Sequence, residues 1–214
     1  DIEQLIAQEK AMAAVYHKQA LVLRTSRTNA AKKLSTAVTA SMQTLNMTGG
    51  QFTIELTEAA PAAHGMDAIE FKVAGHAGVA LQALNKVASG GELARISLAL
   101  SVITSAANPV PTLIFDEVDS GIGGAVAEVV GKLLAQLGRE RQVLCVTHLP
   151  QVAAQGEHHW QVSKSTRDNV TTSQILNLNA EERVEEIARM LGGVDISATT
   201  RTHAREMLSL PSHS

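Results

Sequence analysis

The first 46 residues contain neither glycine nor proline and are rich in Ala, Leu, Lys and Gln, residues that cost a helix little. A 3-4 spacing runs through Ile2, Leu5, Glu9, Met12, Tyr16, Gln19, Leu23, Ser26, Ala30, Lys33, Ala37 and Ala40, and eight of these twelve are apolar. The pattern predicts a long amphipathic helix or a weak heptad seam. At ~1.5 Å per residue it would be about 65–70 Å long, longer than a small domain holds. A coiled-coil segment over residues 1–46 is therefore expected, with a core-packed helix pair broken at a disguised point as the alternative.

Thr48-Gly49-Gly50 is expected to end that helix. Gln51 to Thr57 alternates, with Phe52, Ile54 and Leu56 on one face, and predicts a half-buried strand. Pro61 to Gly65 reads as a turn, Ala68 to Val73 as a second strand, and Gly75 to Lys86 as loop. From there strands alternate with helices. Ser89 to about Ala107 predicts a helix stopped by Asn108-Pro109, and Thr112 to Asp116 a short apolar strand. Gly123 to Gly138 predicts a helix turning Val126, Val129, Val130, Leu133, Leu134 and Leu137 inward, and Gln142 to Thr147 a buried strand. Apolar runs of this kind between helices indicate a parallel sheet, so residues 47–214 are expected to form an α/β domain. A hairpin follows, His159 to Ser165 and Val170 to Leu178, turning at Thr166-Arg167-Asp168-Asn169. Two helices close the chain, Ala180 to Leu191 and about Ser197 to Leu208. Asn179 and Glu182 form a capping box on the first, and Pro211 stops the second.

Composition narrows the function classes. No apolar run reaches the roughly 18–20 residues that span a bilayer, no signal peptide opens the chain, and no membrane partner is expected. The chain starts at Asp1 rather than Met, which leads to the expectation of a fragment. One cysteine, Cys145, excludes an internal disulfide framework and any multi-cysteine metal site, and its surroundings read as core. A reducing cytoplasm fits. Residues 1–44 carry six Lys/Arg against three Asp/Glu, and the remainder twelve against eighteen. Bulk charge thus makes no case for nucleic-acid binding, and the few aromatics offer no stacking platform.

Four stretches carry chemistry. Ser89 and Glu92 form a Ser-x-x-Glu capping box around Gly90 and Gly91, which starts a helix where backbone N–H groups can meet an anion. Thr112-Leu113-Ile114-Phe115 runs into Asp116 and Glu117, two acids at a strand C-terminus, the edge where α/β sheets gather ligands. One acid can hold Mg²⁺ through water; the next can orient or deprotonate a water. Val118-Asp119-Ser120-Gly121-Ile122-Gly123-Gly124 supplies a tight glycine-rich path. His148, in Val146-Thr147-His148-Leu149-Pro150-Gln151, ends the next strand on the same edge, where an imidazole can bond a phosphate. Singly, each also fits a plain role: a helix cap, a solvated acidic turn, a strand-to-helix turn, a structural histidine. Ser89 precedes Asp116 by 27 residues and Glu117 precedes His148 by 31, each gap long enough for one helix, one strand and their loops. His158-His159 reads as a solvated turn, with a metal ligand pair as the alternative, Lys32, Lys33, Arg24 and Arg27 as a solvated helix face, with contact to a phosphate backbone as the alternative, and Met190 and Met207 as core.

The order of these stretches resembles the C-terminal half of an ABC-type ATPase head: signature motif, Walker B, D-loop and H-loop. Lys86 to Ile96, Phe115 to Gly124, Thr147 to Ala153 and Glu186 to Gly193 are similar to the RecN family of SMC-like proteins, and the likeness covers almost the whole chain. It implies a parallel sheet with flanking helices, preceded by the returning strand of a coiled coil. It implies ATP and Mg²⁺ as cofactors. Ser89, Gly90, Gly91 and Glu92 would face the γ-phosphate held by a second head, Asp116 would support the metal, Glu117 would be the general base, His148 would sense the γ-phosphate and Asp119 would couple the two sites. The partners implied are the N-terminal half bearing Walker A, a second head and DNA, in the bacterial cytoplasm and nucleoid, during recombinational repair of double-strand breaks.

Two departures qualify the likeness. Ala94 replaces a residue that is often Ser in the family. No Gly-x-x-x-x-Gly-Lys-Ser/Thr occurs, since Gly49-Gly50, Gly90-Gly91 and Gly192-Gly193 lack the following lysine. The phosphate cradle is absent from this sequence, so little or no hydrolysis by this chain alone is expected. Rival readings are a transporter ATPase subunit, which more often has Gln at the position of Glu92 and no long leading helix, another SMC-like or recombination-mediator head, and a non-enzymatic clamp that uses nucleotide only to dimerise. An isolated chain is also expected to present an incomplete, association-prone sheet edge.

Overall fold

The computed structural model describes residues 1–87, 89–107, 110–167, 170–192 and 196–209. Ala88, the Asn108-Pro109 stop, Asp168 and Asn169 of the hairpin turn, Gly193 and Pro211 lie outside the described residues. Two compact units emerge, Asp1–Ala88 and Ser89–Ser214. The boundary differs from the division at residue 46 expected above, because the strands after the first helix pack on that helix.

In the first unit, α1 (Ile2–Thr44) is continuous. It stops earlier than the Gly-Gly pair. Leu45 is the C-cap, Asn46 takes the left-handed conformation (φ 61°), and the Met47 amide donates to the Met42 carbonyl at 3.2 Å. This is the six-to-one bond of a Schellman motif, sealed by fully buried Met42 and Met47. Next come β1 (Gln51–Ala62) and β2 (Gly65–Ala74), paired antiparallel from Gln51↔Ala74 with an irregularity between Glu58 and Ala62. The strand thus runs through Pro61, which the sequence placed in the turn. A short β3 (Gln82–Ala83) adds to β2 within the stretch expected to be loop.

The hairpin docks on a face of α1 that takes in Tyr16 of the predicted seam but mostly lies beside it. Ala20, Ala31 and Val38 are buried, each one residue beyond seam positions Gln19, Ala30 and Ala37, a rotation of about 100°. Ile2, Leu5 and Met12 of the seam stay 74%, 64% and 74% exposed. Polar side chains decide the face, because α1 satisfies the open edge of β1. The Tyr16 hydroxyl donates to the Ala62 carbonyl at 2.9 Å and accepts its amide at 3.0 Å. Ser35 accepts the Ile54 amide at 3.0 Å, and Thr39 the Phe52 amide at 2.9 Å. A strand edge left open would invite pairing with another chain; here a helix covers it.

Asp67 anchors the far end of the hairpin. Its buried carboxylate takes Arg24 Nε at 2.6 Å and Arg27 Nη1 at 3.1 Å, so these arginines serve the fold rather than a solvated face. The bond from Arg24 and then that from Arg27 hold Asp67 below the ordinary carboxylate pKa, against the opposing pull of desolvation. A carboxyl whose folded pKa is depressed stabilises the fold fully above its unfolded pKa and loses that contribution as pH falls through the folded value. Melting curves recorded from pH 7 down to pH 2.5 should therefore show an acid limb below about pH 4, and Asp67→Asn should flatten it while lowering the melting temperature at pH 7. An equal acid limb in both proteins would mean that other carboxyls carry it.

In the second unit, α2 (Gly90–Ile103) leads to β4 (Thr112–Phe115), α3 (Gly124–Gly138) and β5 (Gln142–Cys145). β4 and β5 pair in parallel, from Thr112↔Gln142 to Phe115↔Cys145. α3 buries Ala127, Val130, Gly131, Leu134 and Leu137, whereas Val126, Val129 and Leu133 flank this stripe half-buried. Gly131 admits the short α4 (Pro150–Ala153): a Cβ there would stand 3.0 Å from the Gln151 carbonyl. The two strands are less buried than their composition suggests, with Ile114 72% exposed and Val146, just past β5, 63% exposed. Among the described residues this sheet has two strands, too few to cover them.

β6 (Trp160–Arg167) and β7 (Val170–Asn177) form the expected hairpin. α5 (Ala180–Gly192) and α6 (Ala198–Ser209) share a core of Val184, Ile187, Ala188 and Ala204, against which Met190 and Met207 pack. The capping box is reciprocal: Asn179 Oδ1 accepts the Glu182 amide at 3.0 Å, and Glu182 Oε2 the Asn179 amide at 2.8 Å.

Candidate functional site

The parallel register sets the site. Because Phe115 lies opposite Cys145, the two strands end level, and the chain leaves β4 through Asp116-Glu117 beside the point where it leaves β5 through Val146-Thr147-His148. The Val146 amide extends the pairing by donating to the Phe115 carbonyl at 3.0 Å.

Glu117 turns sharply at this edge. Its φ is 57°, a left-handed conformation that costs a non-glycine residue on the order of 1 kcal/mol or more. Asp116 Oδ1 accepts the Glu117 amide at 2.8 Å, and the Glu117 carbonyl accepts the Ser120 amide at 3.0 Å. The strained turn brings the Glu117 carboxylate against Gly90, where any Cβ would collide with Glu117 Oε2. Both acids are exposed.

Ser89 caps α2 as expected, its Oγ accepting the Glu92 amide at 3.3 Å. Gly91 is buried against Ser120, whose carbonyl oxygen would be 3.0 Å from a Cβ. The same carbonyl accepts Arg95 Nη1 at 2.9 Å. Arg95 is 4% exposed, and burial pulls its pKa below the ordinary guanidinium value, with Glu92 opposing. It was missed in the sequence, where a charge one turn after Gly91, on the stripe with Leu98 and Ala99, was the available signal.

Asp119 is buried. Its Oδ2 accepts the Thr147 hydroxyl at 2.5 Å and the His148 amide at 3.0 Å, and lies 3.2 Å from His148 Nδ1. Thr147 was the other residue missed. Signature stretch, paired acids, glycine-rich loop and His148 are thus gathered at one sheet edge. Cys145, half-buried behind them, has its thiol pushed up to about 12 by burial and then by Asp119 and Asp116, which keeps it protonated and inert. Among the described residues no three His, Cys, Asp or Glu side chains converge as a metal cage, His158-His159 included. Nor is any helix long and apolar enough to cross a membrane.

An α/β half with a long leading helix and this edge is the fold of an SMC-type head. The Smc head domain with a coiled coil and joint from Pyrococcus yayanosii superposes with a TM-score of 0.60 at 22% identity, over 86% of this chain and 34% of that one. A second Smc head with an extended coiled coil, from Pyrococcus furiosus, gives 0.54 at 23% identity over 87% and 45%. No family model matches. Among curated proteins, the chain is 50% identical over 189 residues to the DNA repair protein RecN of Xylella fastidiosa, covering 87% of this chain and 34% of that protein. It is 47% identical over 210 residues to RecN of Haemophilus influenzae, covering 97% and 38%. The chain spans about a third of the length of these relatives, and over that span it belongs to the RecN family.

Proposed function

We propose that this chain is the signature-and-acid portion of an ATP-hydrolysing head in a RecN-type protein that acts in recombinational repair of DNA double-strand breaks. The observation that carries the reading is the level ending of β4 and β5, with Asp116, Glu117, Asp119 and His148 on one edge beside the N-terminus of α2. Ser89, Gly90, Gly91 and Glu92 present the positive N-terminal end of α2 to a γ-phosphate held by a second head. Glu117 accepts a proton from the attacking water. His148 bonds the γ-phosphate, and its exposed ring (71%) leaves it accessible. The donor set suits a metal ion that arrives with the nucleotide: one strand-end carboxylate, Asp116, with water and phosphate completing the shell. Bound there, Mg²⁺ would neutralise charge on the phosphates.

The phosphate-binding loop has no counterpart in this sequence, so it comes from the N-terminal half of the same protein. The exposed Ile114 and Val146 of the two-stranded sheet support a missing companion. DNA, a second head and a location in the bacterial cytoplasm and nucleoid complete the proposal. It is tested by measuring ATP hydrolysis for this chain alone, for a separately made half bearing the phosphate loop, and for the two mixed. Turnover in the mixture only is expected. Turnover by this chain alone would reveal a nucleotide site elsewhere and overturn the half-head reading. No turnover in a mixture shown to associate would favour the clamp.

A further inference from the structure

Asp119 enters the scheme above as a link between two heads, but its contacts in this structure all lie within one chain. Three groups meet at a single oxygen. Oδ2 accepts the Thr147 hydroxyl at 2.5 Å and the His148 amide at 3.0 Å, and faces His148 Nδ1 at 3.2 Å. The Asp119 side chain is 4% exposed, whereas the His148 side chain is 71% exposed, so the buried group holds and the exposed group is held. Thr147 extends the tie, since its Oγ1 also accepts the Leu149 amide at 3.1 Å. The backbone from Thr147 to Leu149 is therefore fastened to the loop after β4. The neighbouring Ser120 carbonyl takes the buried guanidinium of Arg95 from α2. One short segment, Asp119-Ser120, thus joins three elements: α2, the loop after β4 and the loop after β5.

The chemistry of the imidazole follows. Nδ1 faces an acceptor-only carboxylate, so Nδ1 carries the hydrogen whether the ring is neutral or cationic. In the neutral ring this leaves Nε2 as the free nitrogen, and Nε2 is the position from which the ring meets a ligand. A carboxylate on one ring nitrogen fixes both tautomer and ring orientation. We propose that Asp119 is a positioning residue for ATP hydrolysis within its own head: its buried carboxylate locks the His148 ring with Nδ1 held and Nε2 free, and locks the loop after β5 to the loop that follows the paired acids. The inference rests on the reading of this edge as an ATPase site, but the ring geometry can be measured apart from it.

The test uses the ATPase-competent assembly with Asp119→Ala, Asp119→Asn, His148→Ala and the double variant Asp119→Asn/His148→Ala. Turnover is paired with ¹⁵N NMR of the His148 ring. Asp119→Asn keeps an acceptor oxygen and hence the loop tie, so it guards against loss of folding. Asp119→Ala is expected to lower kcat about ten- to a hundredfold, with KM for ATP within about twofold, and Asp119→Asn to fall between it and the parent. Because Asp119→Asn keeps the loop tie and the remaining effect of Asp119 passes through one ring, this double variant should be no slower than His148→Ala alone. The parent ring should show an Nδ1–H tautomer, and Asp119→Ala should lose that single form. Multiplying losses in the double variant, unchanged kcat in folded Asp119→Asn and Asp119→Ala, or a parent ring without hydrogen on Nδ1 would each overturn the proposal. If the parent assembly does not hydrolyse ATP, or Glu117→Gln leaves turnover intact, the ATPase reading fails instead, and the ring spectrum alone decides whether Asp119 holds His148.

Discussion

Glu117→Gln in the assembled head should reduce ATP turnover by about 10²- to 10⁴-fold and leave nucleotide binding in place. The amide matches the carboxylate in shape and occupies the same space beside Gly90, so the turn at φ 57° and its bonds to Asp116 and Ser120 persist. What is lost is the ability to accept a proton. The backbone argues for this role independently. A non-glycine residue in a left-handed turn is a local cost, and a glycine would relieve it; the site instead keeps a carboxylate at the strand end. Binding without hydrolysis should leave the heads engaged, visible as a nucleotide-dependent dimer by light scattering. The clamp reading expects the opposite of the first result in cells: repair would survive Glu117→Gln. Steady-state turnover and survival after double-strand breaks, measured on the same variant, separate the two.

Gly50→Ala should destabilise the first unit by about 2–3 kcal/mol, the cost of forcing atoms into a packed site, and lower its melting temperature by roughly ten degrees or more. Gly50 joins the end of α1 to β1. A Cβ there would stand 2.6 Å from the Gly75 carbonyl oxygen, 2.8 Å from that of Ala74 and 2.8 Å from that of Met47. These are backbone atoms, and they cannot swing aside as a side-chain tip can. Ala74 is also held in register opposite Gln51, so relief would require the hairpin to shift. Gly78→Ala is the control: Gly78 has φ 80° but no atom within 4 Å of a Cβ, so it carries only the left-handed penalty, about 1–2 kcal/mol. Thermal unfolding of the two variants distinguishes collision from strain. Equal losses would mean that conformation rather than close approach governs the Gly50 site.

Much of the fold is legible in the sequence because local rules cover it. The long helix follows from 46 residues without a breaker, the Ser89 cap forms as its spacing requires, and so does the reciprocal Asn179–Glu182 box. The β6–β7 hairpin forms where the sequence predicts two strands around a polar turn. What is not legible depends on partners distant in the chain. The periodicity of α1 permits several faces. Tyr16, Ser35 and Thr39 reach the open edge of β1 and select one, a choice no helical pattern contains. Arg24 and Arg27 read as solvated until Asp67, some forty residues later, is brought under them. The apolar content of β4 and β5 suggests full burial, but burial is a property of the whole sheet, and two strands cannot supply it.

The candidate site divides in the same way. Residue type and short spacing dictate which chemical groups stand at each strand end and helix start: Ser89 as a cap, Asp116 and Glu117 after an apolar run, His148 after the next. The acids and His148 are already expected on a shared edge; the approach of the α2 start to that edge, and the ties that hold it, come from contacts across the fold. The parallel register levels the two strands, a left-handed Glu117 turns its carboxylate to Gly90, and buried Asp119 and Arg95 fasten the loops and α2 together. Those contacts join residues 25 to 31 positions apart in the chain. Their geometry comes from packing and hydrogen bonding across the fold, which local sequence does not encode.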